Sequence, residues 1–193
     1  MPPTIQFPNP IRIDRLTRIV RVRGVDLYIH WTVFLVAGIM IYLAIRRPWV
    51  TIVAGASWLA VILLHECGHM IVAQKKGCAV SGIELYPFHG RCCFQEPWSR
   101  FDHCMIAWGG VLAQAIIAVP VLLLVTVFGY SRFEPLNAAL AIFGGFSLVV
   151  AVFNLLPFGR MDGVIAWGII PEIVKRAKQR GKKKRSASGW RSY

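Results

Sequence analysis

The feature that most constrains this chain is a set of four apolar runs, at residues 31–45, 50–73, 104–128 and 136–158 of 193. A helix needs about 20 mostly apolar residues to cross the hydrocarbon of a bilayer. Three of the runs reach that length, and the first extends through Tyr28 and Ile29. Only 16% of the residues are charged and 56% are apolar, whereas about a quarter of a soluble domain is charged. The expected fold is therefore all-α integral membrane, with about four transmembrane helices. Pro120 in the third run and Gly144-Gly145 in the fourth are compatible with spans that pack on neighbours. The expected organisation is a basic N-terminal segment at 1–30, a membrane-embedded core at 31–171 and a basic tail at 172–193.

The formal charge of +13 would suit nucleic acid, but no module or basic–aromatic pattern for reading bases is present. No nucleic-acid partner is expected, and the basic segments are read as anchors to anionic membrane lipids. Nineteen Lys and Arg residues fall in the N-terminal segment, the middle loop and the stretch after the fourth run, from Arg160 onward, against three in the other two loops. By the positive-inside bias, both termini and the middle loop are expected in the cytoplasm. No cleavable signal is expected, because no small-residue cleavage site precedes the first run. The five cysteines lack CxxC spacing and are expected as free thiols.

The middle loop is punctuated by Gly77, Gly82, Pro87 and Gly90, with alternating apolar positions between them. This predicts a small β hairpin or sheet element on the cytoplasmic side, and residues 19–29 predict a further strand.

The second run ends in His65-Glu66-Cys67-Gly68-His69. Four residues apart on a helix, His65 and His69 lie on one face and can bind one zinc ion together. Glu66 is displaced around the helix but within reach of a water on the metal, whose proton it can take and later pass to a leaving amine. An ionised side chain at bilayer depth costs about 2.5–3.5 kcal/mol on insertion scales. Glu66 is the one acid within the first three runs, so chemistry explains it better than packing does. A catalytic zinc takes a third protein ligand and keeps one position open. Asp162 stands out, because it directly follows the fourth run. The second and fourth runs both head inward, so Asp162 reaches the depth of the histidines, whereas Glu134 falls on the opposite side. Glu172 is the alternative that topology leaves.

HExxH in an early span, followed some 90 residues later by N-x-x-P-x-x-x-x-D-G at 154–163, resembles the site-2 protease family of intramembrane zinc metalloproteases. Residues 24–32 resemble the entry to that family's first span, and the likeness covers roughly residues 20–165. It implies that His65, His69 and Asp162 bind one zinc ion and that Glu66 is the base. It also implies hydrolysis of peptide bonds in or beside transmembrane segments of single-span membrane-protein substrates, in a bacterial or archaeal cell membrane. Asn154 corresponds to a family asparagine thought to hold substrate or the oxyanion. Where the family's third span often carries G-P-x-x-N, this chain has Gly110-Val111-Leu112-Ala113-Gln114. Gln114 is thus the second candidate amide, on a longer stem. Val164 follows Gly163 where the family often has another Gly, and no PDZ or CBS module is expected.

Two rival readings use the same residues. A metal-binding protein that does not cut would have no need of Glu66, and a metal transporter would spread polar positions along the spans rather than gather them at one end. His89 is read as a loop histidine or a transient occupant of the open metal position, and His30 as an interfacial anchor. Cys67 is expected to point away from zinc and pack against a neighbouring span. Gly109, Gly110 and Ala113 are expected to let the third helix approach the second closely. Cleavage requires the substrate helix to unwind, and a strand edge at residues 83–88 is expected to hold it extended.

Overall fold

The computed structural model describes residues 16–22 and 24–189. Its helices are α1 (Thr32–Leu43), α2 (Pro48–Lys75), α3 (Arg100–Phe128), α4 (Glu134–Ala141), α5 (Ser147–Asn154), α6 (Gly163–Ala166) and α7 (Ile169–Gly189). A π-helical turn, Ile142–Phe146, joins α4 and α5 into one rod. Among the described residues, three helices are long and apolar enough to cross a membrane: α2, α3 and the 134–154 rod. The chain is a mainly helical membrane protein. α1 is apolar but spans only 12 residues. The last rod ends at Asn154, short of the apolar run at 136–158, because Pro157 disfavours helical backbone at the residue before it.

α2 and α3 form the centre of the core, and small residues set their separation. A Cβ on Gly68 would collide with the Gly109 carbonyl and the Ala113 side chain, so the two backbones touch where the sequence expects them to.

The strands β1 (Leu16–Val22), β2 (Val25–His30), β3 (Val80–Leu85) and β4 (Gly90–Phe94) form one sheet in that order. Residues 19–29, expected as a single strand, instead belong to two strands reversing at Gly24, whose φ of 82° suits glycine. β2 then pairs parallel to β3, which becomes an interior strand. This moves the free edge away from residues 83–88. Ile83 faces Leu27 on one side and Cys92 on the other, residues 86–89 form the turn, and the edge beside the site is β4.

The sheet packs on the second half of α2. Val25, Ile83 and Leu85 bury against Ile62 and Met70, and Cys67 joins this cluster. Cys67 therefore faces the sheet, not a neighbouring span as the sequence suggests.

Candidate metal centre

α2 carries His65 and His69 one turn apart, both buried, and α3 fixes the outward nitrogen of each ring. His65 Nδ1–H donates to Gln114 Oε1 at 2.9 Å, and His69 Nδ1–H donates to the Ile106 carbonyl at 2.7 Å. These bonds leave both Nε2 atoms with inward lone pairs, only 3.0 Å apart. Gly110 lies between Ile106 and Gln114 on α3. A Cβ there would stand 2.6 Å from both rings, so only glycine lets them lie flat against that helix.

The third donor arrives from outside the helices. Asp162 caps α6, and its Oδ2 lies 2.9 Å from His65 Nε2 and 3.2 Å from His69 Nε2. The Asn154–Gly163 stretch folds back tightly enough for this because Gly163 has no side chain, since a Cβ would enter the Leu155 carbonyl.

Three lone-pair donors thus converge on one point, an arrangement that repels itself unless a cation sits among them. Among the described residues, His65, His69 and Asp162 form the one group of three able to hold a metal ion, their ligand atoms all within 4.8 Å of one another. Glu172, on α7, is not in the group. Donors on one tetrahedral zinc at about 2.0–2.1 Å stand roughly 3.3–3.4 Å apart, and the observed separations are of that order. Two imidazoles and one carboxylate, with the outer nitrogens hydrogen-bonded, form a donor set suited to zinc that leaves a fourth position free.

Glu66 is also buried, at 6% exposure, but stands outside the donor set. It packs against β4, and a Cβ on Gly90 would stand 2.6 Å from its Oε1. A cavity of about 1020 Å³ opens from the three ligands and is lined also by Glu66, Gln114 and Asn154. His89, Arg91 and Arg160 lie at its exposed rim. The β3–β4 turn is fastened over this cavity. Trp58 Nε1–H donates to the Pro87 carbonyl at 2.7 Å, and the Tyr86 ring stacks between His30 and His89, at 5.1 and 4.6 Å. His30 therefore serves the sheet as well as the start of α1. The sequence reading missed the contacts of Gly90, Trp58 and Tyr86. It took Gly110 for helix packing alone, although glycine beside an HExxH helix was a signal available to it.

Fold and site together define a membrane protein with a His-His-Asp cluster able to hold a metal ion at one end of its helices. No protein-family model matches the chain. A candidate zinc metalloprotease of Synechocystis is 25% identical over 173 residues, covering 80% of this chain and 42% of that protein. A zinc metalloprotease of Methanocaldococcus jannaschii is 29% identical over 153 residues, covering 76% and 42%. The chain thus spans less than half the length of these curated relatives. The solved site-2 protease from M. jannaschii superimposes with a TM-score of 0.60 at 26% identity, covering 83% of this chain and 72% of that one. In sequence and fold the chain is thus similar to zinc metalloproteases and to a site-2 protease.

Proposed function

We propose that the chain is a zinc metalloprotease that hydrolyses peptide bonds in or beside transmembrane segments of membrane-protein substrates. One observation carries this reading: the His65 and His69 Nε2 atoms meet an Asp162 oxygen within 3.2 Å, in a cavity whose wall also holds Glu66. A metal site alone would not need that carboxylate, and burying it in an apolar helix is costly.

His65, His69 and Asp162 hold the zinc. When bound, zinc brings the pKa of a coordinated water to about 7. Glu66, held against Gly90, takes the proton from the attacking water and delivers it to the leaving nitrogen. Asn154 and the free amide nitrogen of Gln114 donate to the carbonyl oxygen as negative charge develops on it. The substrate must be extended at the cut, because a helix keeps its amides in its own hydrogen bonds. β4 offers a free edge beside Glu66, and strand addition there aligns the unwound segment with the cavity. α1 is the short first of four crossings. Both termini then lie in the cytoplasm, the side that the Lys and Arg distribution favours.

The test is a single-span substrate co-reconstituted with the full chain in zinc-loaded proteoliposomes. Wild type is expected to cleave it, and Glu66→Gln to retain zinc without cleaving. Equal cleavage by both would overturn the mechanism.

A further inference from the structure

α3 presents three features to the paired histidines at four-residue spacing: the Ile106 carbonyl, the bare Gly110 and the Gln114 amide. Residues so spaced lie in line on one face of a helix. His69 is oriented by a main-chain carbonyl, which no substitution of Ile106 would remove. His65 is oriented by a side chain. Gln114 is completely buried, its Oε1 accepts from His65 Nδ1 at 2.9 Å, and its Nε2 has no partner among the described residues. The amide is therefore held in place through its oxygen. The orientation is also chemically required. If His65 offers Nε2 to a cation, Nδ1 carries the proton and needs an acceptor, because that side of the ring is buried against α3.

We propose that Gln114 is a positioning residue for the metal centre: it fixes the tautomer and ring plane of His65, and so sets the affinity for the ion. This gives its oxygen a duty distinct from the substrate contact of its nitrogen, and it explains the longer stem. An asparagine at this position would fall one methylene short of the ring. The inference rests on the zinc reading above, and metal binding separates the two. A wild-type chain that binds no zinc overturns that reading as a whole.

The experiment is a competition titration of zinc against a chelator, using the full chain in detergent with Gln114→Met, Gln114→Asn and Gln114→Glu. Outer partners of ligating histidines are typically worth about 10–100-fold in metal affinity. Met and Asn are expected to weaken zinc by that factor. Glu still offers an oxygen at the same reach and is expected to stay within about threefold of wild type. The visible spectrum of cobalt bound in zinc's place should change in the Met and Asn variants and stay near wild type in Glu. A folded Met variant that binds zinc as tightly as wild type overturns the proposal. If Met fails to fold, Glu decides alone, and a loss of tenfold or more there overturns it equally.

Discussion

The α2–α3 pair is built differently at its two ends. On α2 the buried residues run from Ser57 to Ala73, and on α3 from Cys104 to Ala118. The first turns of α2 and the last turns of α3 bury nothing and present Trp49, Val127 and Phe128 outward. In lipid such exposure costs nothing, since every backbone group is satisfied within its own helix. At the other end two histidines, a carboxylate and an amide are buried together, and each needs a placed partner. The metal-side half should therefore tolerate almost no change of shape or hydrogen bonding, while the far half should tolerate much.

The largest test of this contrast is removal of the metal. Chelation should abolish cleavage, and added zinc should restore it in proteoliposomes. Next is Glu66→Gln, which should lower the cleavage rate by about 10²–10⁴-fold, the usual worth of a general base, with zinc content unchanged.

A pair of glycine substitutions probes shape directly. Gly110→Ala places a methyl group against both histidine rings and should cost about 1–3 kcal/mol in overpacking, read as weakened zinc affinity. Gly55→Ala, in the far half, meets open space and should leave zinc affinity unchanged. Equal effects would erase the distinction between the halves.

Smaller still is Arg47→Gln. Arg47 pairs with Glu134 at 2.6 Å, but both side chains are more than half exposed, so the loss in thermal stability should be under about 1 kcal/mol. Last, burial and then the neighbouring Glu84 charge push the Cys93 thiol up to about 11. Thiolate appears only as pH rises toward that value, so Cys93 should alkylate slowly at pH 8, measured by mass spectrometry of the intact chain, and faster above pH 10.

Much of the site could be read from the sequence because its determinants are local or topological. The His65–His69 spacing is one helical turn, and the shared depth of Asp162 follows from counting spans against Lys and Arg. The sheet was less legible. Alternation in residues 19–29 signals extended backbone but does not specify its partner, and β2 pairs with β3 residues 56 positions further along the chain, as Asp26 does with Gly82. The turn at Gly24 and the parallel pairing together moved the free edge from 83–88 to β4. The contact of Gly90 with Glu66 follows from that pairing and has no local signature. The end of the last rod at Asn154 was obscured because Leu155, Leu156 and Phe158 are as apolar as the helix before them.

The central claim is that two side chains from one turn of α2 and a third from the start of α6 grip one ion. Zinc per chain, measured by elemental analysis of purified wild type, Asp162→Ala and Glu172→Ala, tests it most directly. The account predicts one zinc in wild type and Glu172→Ala, and none retained by Asp162→Ala. Full zinc in Asp162→Ala, with loss in Glu172→Ala, would contradict it.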